Sequence, residues 1–183
     1  MGTRAVKGLA ALACLAVLTV VAAPIASSSP SSTTAGTRAS LAALETGVLQ
    51  QMNVIRAQYG LEPLRASPGL AAAAAQHSRE MGVDGYFDHA SPNGGSFSLR
   101  VAHWYPSAGF ARWSVGENLL WYSPDLNPSV AVDMWMHSPE HRANILNPRW
   151  RDLGVGAVHL ASATGTYRDR PVTILTADFG VRR

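Results

Sequence analysis

The sequence predicts an α+β fold, an α-β-α sandwich with an antiparallel sheet between helical layers. Three observations predict it. Residues 41–59 and 70–81 carry apolar side chains at helical spacing. Near the C-terminus, residues 154–161 and 172–179 are rich in β-branched residues. They are apolar at both odd and even positions, as with Val172 and Ile174 against Leu175 and Phe179. A strand that is apolar on both sides needs cover on both sides. Finally, the domain-sized part, residues 39–183, suffices for one core: a domain of about 150 residues buries about 68–70% of its unfolded surface.

Composition narrows the function classes. Apolar residues make up 47% of the 183 and charged residues 15%, which excludes a wholly disordered chain. Eleven Pro and sixteen Gly are too few for collagen or a low-complexity polymer. The formal charge of +3 includes Arg4 and Lys7, so residues 39–183 are near neutral. A near-neutral domain does not suggest a nucleic-acid partner.

The elements follow in order. Residues 1–26 read as a secretory signal, with Arg4 and Lys7 at the start, an apolar run over 9–23, and small residues Ala22, Ala23 and Ala26 behind it. The run is short for the roughly 20 residues that cross a bilayer, so no membrane span is expected after cleavage. An uncleaved anchor is the alternative. Cys14 is the sole cysteine and sits mid-run, where Leu12-Ala13 fits a lipoprotein box poorly. Once the signal is removed no disulfide can form. Residues 27–38, rich in Ser and Thr, read as a flexible spacer, and residues 39–183 as the folded domain.

Leu41, Leu44, Val48, Met52, Ile55 and Tyr59 mark the first helix, ended by Gly60. Ser67-Pro68 opens the second by capping, with Leu70, Ala74, His77 and Met81 on one face and breaks at Gly82 and Gly85. Residues 86–115 read as a long functional loop with at most a short helix over 97–103. Asn127-Pro128 and Ser138-Pro139 start two more helices, the last stopped by Asn147-Pro148.

Six histidines carry the candidate chemistry. His77, on an apolar helix face, reads as a packed, hydrogen-bonded core residue. His103 and His159 read as structural or exposed, and His137 as a helix-end cation. His89 stands apart, at a loop start beside Tyr86-Phe87-Asp88. His141 lies in the first turn of a short helix, a position that favours a neutral imidazole able to accept a proton or bind a metal. Glu117 lies between Gly116, which admits close backbone approach, and Asn118. A carboxylate between two imidazoles could hold a divalent cation or polarise a water. Spacing alone does not make these three a motif. Trp104, Tyr105, Trp113, Trp121 and Tyr122 supply aromatic area either to a binding rim or to packing.

An ordered set of short segments adds weight. Asn53-Val54-Ile55-Arg56 and Gly60-Leu61-Glu62-Pro63-Leu64 are followed by residues 75–81, Tyr86-Phe87-Asp88-His89 and Gly116-Glu117-Asn118-Leu119. Then come residues 135–146, Leu153-Gly154-Val155-Gly156 and Asp178-Phe179-Gly180. This order, over residues 45–181, resembles the CAP superfamily of cysteine-rich secretory, antigen-five and pathogenesis-related proteins, in its bacterial, disulfide-free form. The resemblance implies an α-β-α sandwich and a cleft lined by two histidines and acidic groups, which in some members binds a divalent metal such as zinc. His89 and His141 match the histidines, and Glu117 one acid. Where animal and plant members often carry a second Glu, three residues after the helix tryptophan, this chain has Ser138. Glu140, directly before His141, is a further candidate for the cleft.

Two function classes follow. One is a secreted or envelope-associated, monomeric binding module that takes an envelope component, a lipid or a protein, with His89, Glu117 and His141 around a water or a labile metal. The other is a hydrolase, acting on proteins or peptidoglycan, in which a His–Glu pair activates water. Ser91 and Ser138 lack the context of a serine nucleophile. A scaffold held by a retained signal is a third reading.

Overall fold

A computed structural model of the chain describes residues 32–183. The signal expected over 1–26, and the start of the spacer, lie outside the described residues. Helix α1 spans Ser32–Gln58, so residues 32–38 are helical where a flexible spacer was expected. A helix seated by buried Leu44, Val48 and Met52 extends at little cost per added residue, and no proline interrupts it after Pro30.

Strand β1 (Arg65–Ala66) leads into α2 (Pro68–Asp84). Ser67 caps α2 by accepting a hydrogen bond from the Leu70 N–H at 3.4 Å, and Pro68 occupies the first turn. Gly82 does not end this helix, contrary to expectation. A Cβ there would lie 2.5 Å from Leu160 Cδ1, so the glycine serves packing against the sheet. The stop comes at Gly85, in the left-handed region at φ 71°.

Helix α3 (Phe97–Trp104) is the short helix expected in the loop. It is followed by a strand that pattern reading missed, β2 (Trp113–Tyr122). Helices α4 (Pro128–Met136) and α5 (Pro139–Ile145) come next. Asn127 caps α4 through Val130 N–H, whereas the Ser138 side chain makes no capping bond to α5. Strands β3 (Asp152–Ala163) and β4 (Arg170–Arg182) close the fold, separated by a 3-10 turn at Gly165–Tyr167.

The sheet order is β1-β3-β4-β2. Its three long strands are antiparallel, as expected, while β1 pairs parallel to β3, so the sheet as a whole is mixed. A parallel pair requires a long crossover, and the many residues between β1 and β3 supply it.

Parity along β4 assigns the two faces. Leu175, Ala177, Phe179 and Val181 pack with Leu153 and Val155 against α1, α4 and α5, where Trp135 and Ile145 are buried. Val172 and Ile174 face the other way and pack with Met81 of α2 and Leu119 of β2. Leu70, Ala73, Val101 and Tyr105 fill the space between α2 and α3 on that same side. Each buried aliphatic or aromatic side chain contributes about 1.5–3 kcal/mol. Gly154 brings α2 directly onto β3, since a Cβ there would sit 2.0 Å from Ala71 N. Strand β2 lies at the sheet edge and presents its middle residues beside α3 and α5.

Candidate functional site

Glu117 is in register with Asp178 on the neighbouring strand, so both carboxyl groups point to the α2–α3 face. Glu117 is sealed in place, its side chain 1% exposed. One oxygen, Oε2, accepts a hydrogen bond from Arg100 Nη2 of α3, whose side chain is 4% exposed. The other, Oε1, meets His89 Nδ1 at 2.8 Å. His89 therefore turns Nε2 away from Glu117, and its side chain is 53% exposed.

The loop carrying His89 is held locally. Ala90 N–H donates to Asp88 Oδ1 at 2.8 Å, an Asx turn. Arg100 Nη1 donates to His89 O and to Ser91 Oγ at 3.4 and 3.3 Å. One guanidinium thus joins the carboxylate to the histidine loop. His77 is fully buried beneath this loop and its Nε2 lies 2.9 Å from Asp88 O, the packed role expected for it.

His141 reaches the same strand from the other side of the sheet. Asn118 Nδ2 donates to His141 O at 3.1 Å. Asn144 Nδ2 bonds Asn118 Oδ1 at 2.8 Å and Glu117 O at 3.2 Å. These two asparagines tie α5 to β2 and so set where the His141 imidazole stands. Gly116 permits the contact, since a Cβ there would come within 2.9 Å of Trp150 and 3.1 Å of Asn144.

The two imidazoles are driven apart in acidity. The hydrogen bond to Glu117 raises His89 above the usual histidine range. Burial first, and the charge of His89 second, lower His141. His141 thus favours its neutral form, as its sequence position suggested, with burial as the main cause. Asp178 is buried without a hydrogen-bond partner for either oxygen among the described residues. Burial, and then the neighbouring Glu117 charge, hold its carboxyl well above the ordinary range.

The three candidates are therefore not equivalent. His89 and Glu117 are in contact, and His141 responds to the charge of His89. Glu117 is no free ligand, because both its oxygens are engaged. Among the described residues, no three His, Cys, Asp or Glu side chains gather in an arrangement that would hold a metal ion. With Glu117 engaged, the ring nitrogens of His89 and His141 are the groups of this set that could serve a divalent cation. Glu140 is exposed and acts on His141 through its charge.

Arg100, Asn144 and Asp178 were missed. Arg100 falls on the apolar stripe of α3 with Phe97, Val101 and Trp104, and Asp178 interrupts an otherwise apolar strand; each was a readable signal. Of the five aromatics, Tyr105 is buried, Trp113 Nε1 donates to Tyr105 O at 2.8 Å, and Trp121 packs edge-on against Tyr167. Packing accounts for these three. Beside the site, Gln76, Glu80, Ser91, Arg100 and His103 line a hollow of about 620 Å³.

Residues 49–179 match the family model described as CAP, the cysteine-rich secretory protein family. The chain is 36% identical over 125 residues to the uncharacterized protein YkwD of Bacillus subtilis, covering 68% of this chain and 46% of YkwD. It is 35% identical over 112 residues to the uncharacterized membrane protein YlbC of the same organism, covering 61% of this chain and 31% of YlbC. The chain thus spans less than half the length of these curated relatives. Among solved structures it is similar to an extracellular protein containing an SCP domain from Bacillus anthracis. That match has a TM-score of 0.57 and 28% identity, over 78% of this chain and 43% of the other. An outer surface protein of Borrelia burgdorferi shares the fold, with a TM-score of 0.56 and 18% identity, over 74% of this chain and 90% of the other. No helix among the described residues is long and apolar enough to cross a membrane.

Proposed function

The chain belongs to the CAP, or cysteine-rich secretory protein, family, and from that premise we propose that it is an exported binding protein whose ligand engages the β2 edge at His89 and His141. The observation that carries this is the Arg100–Glu117–His89 relay. A buried, neutralised carboxylate fixes one ring nitrogen of His89 and turns the other toward solvent. That arrangement suits a positioned donor or ligand better than a free surface histidine. The ligand is an envelope component, a lipid or a protein surface, bound by a monomer that is secreted or held at the cell envelope. The extracellular description of the Bacillus anthracis protein supports export.

A divalent ion such as zinc would be held by His89 Nε2 and His141, with Glu117 orienting His89 from behind. When bound, such an ion supplies a Lewis-acidic contact to the ligand. Titrating the full chain with zinc tests this. His89→Ala and His141→Ala each abolish binding, and affinity falls between pH 8 and 5 as protons compete for the imidazoles. Unchanged affinity in both variants refutes imidazole ligation.

The same relay also supports a hydrolase, because an oriented imidazole with a free nitrogen is how a general base is built. Turnover of a peptide or peptidoglycan panel, lost in His89→Gln while the melting curve is retained, would select that reading. No turnover across the panel selects the binding protein.

A further inference from the structure

Outside this site, arginines are concentrated at one end of the sheet. Arg112, at the start of β2, and Arg183, just past β4, exchange both backbone hydrogen bonds at 3.0 Å, so they stand directly opposite each other. The register of Ser114 with Val181 puts this pair on the sheet face that α1, α4 and α5 cover. Arg151, whose N–H bonds Gly180 O, brings a third guanidinium, and Arg149 follows from the turn after α5. Together with Ser114, Pro148 and Val181 they line a hollow of about 520 Å³.

Nothing negative in that lining answers them. None of the four arginines has a carboxylate partner among the described salt bridges. The adjacent Asp152 is taken by Arg65 and by the Tyr105 hydroxyl. Even with the α-carboxylate of Arg183 set against them, the lining keeps a positive excess. Behind the same turn, Arg56 is fully buried, and its Nη1 donates to Ile145 O and Asn147 O at 2.7 and 3.0 Å. Its charge adds to the field at the hollow. Like charges opposite one another across strands are destabilising, and an anion bound among them would relieve that repulsion. A near-neutral net charge conceals this local concentration.

We propose that the hollow between Arg112, Arg149, Arg151 and Arg183 is a second binding site, and that it takes a phosphate group. Guanidinium forks match phosphate oxygens, and here four arginines from three chain segments line one space. A phosphate offers more acceptor oxygens to such a set than a carboxylate does. The Ser114 hydroxyl adds a neutral donor to the lining. The hollow exceeds a free phosphate ion, which leaves room for the substituents of a phosphoester. The site lies on the opposite sheet face from Glu117 and stands independently of the His89 reading.

The test titrates the full chain with inorganic phosphate and follows backbone amide NMR shifts. Saturable shifts at Ser114, Arg149, Arg151 and Val181 are expected, weakening as salt rises. Arg112→Gln/Arg149→Gln removes about tenfold or more of the affinity, while Arg112→Lys/Arg149→Lys retains part of it. Arg151→Gln is kept separate, because its Nη1 also bonds Pro148 O and Trp150 O at 2.8 and 2.7 Å. A parallel arm measures co-sedimentation with phosphatidylglycerol vesicles against phosphatidylcholine vesicles. Binding to the former alone, lost in Arg112→Gln/Arg149→Gln, makes a lipid headgroup the source. Phosphate shifts without vesicle binding make it a soluble phosphoester. Sodium chloride reproducing the phosphate shifts at matched ionic strength, or full affinity in Arg112→Gln/Arg149→Gln, overturns the proposal.

Discussion

Replacing Arg100 with methionine tests the core of the site. The substitution keeps an unbranched side chain but removes the cation facing a Glu117 carboxylate that is 1% exposed. Breaking a buried ion pair from one side costs about 3–5 kcal/mol. The expected loss is therefore about 3–5 kcal/mol, roughly a 10 °C fall in melting temperature. Urea unfolding followed by tryptophan fluorescence reads it. Adding Glu117→Gln to Arg100→Met removes the stranded charge and restores more than half of the loss. A loss below about 1 kcal/mol, or no recovery in the double variant, refutes the paired burial of these charges.

Three other outcomes follow from the same structure. Burial holds the folded Asp178 carboxyl well above its ordinary value of 3.8, whereas in the unfolded chain it ionises above that value, so it takes stability away as pH rises from there. Asp178→Asn should match the parent near pH 4 and exceed it at pH 7 in thermal melts; a less stable variant at pH 7 would mean an ionised aspartate. In NMR titrations His89 should protonate above 6.5 and His141 below it, and Glu117→Gln should bring His89 back down. By linkage, the His89 contribution to stability is full below 6.5 and is lost as pH rises through its raised value, whereas that of His141 is full above 6.5 and is lost as pH falls through its lowered one. Gly154→Ala drives a Cβ to 2.0 Å from the α2 backbone and should cost about 3 kcal/mol or more, while Gly94→Ala, with nothing within 4 Å, should cost only about 1 kcal/mol for its positive φ. Equal melting temperatures for the two variants would contradict the close seating of α2 on β3.

The helices were readable because their signals are local. Leu44, Val48 and Met52 repeat along one face, and Ser67-Pro68 and Asn127-Pro128 mark helix starts within a turn of the capped N–H. Strands β3 and β4 announced themselves through β-branched residues apolar on both sides. Strand β2 did not, because Gly116, Glu117 and Asn118 interrupt its apolar pattern at the residues that build the site. Gly82 misled for the opposite reason: it has the form of a helix stop but serves contact with Leu160.

The amino-acid order alone established two helical layers around a sheet, a buried His77, and His89, Glu117 and His141 as residues to watch. The ordered segments resembling CAP proteins contributed as much as any single position. Folding settled their relations. Strand register set Glu117 against Asp178, α3 brought in Arg100, and Asn118 and Asn144 tied the helix that carries His141 to β2. Spacing and capping act over one helical turn, whereas register, face parity and burial depend on which distant segments become neighbours, and that information is present only once the chain has packed.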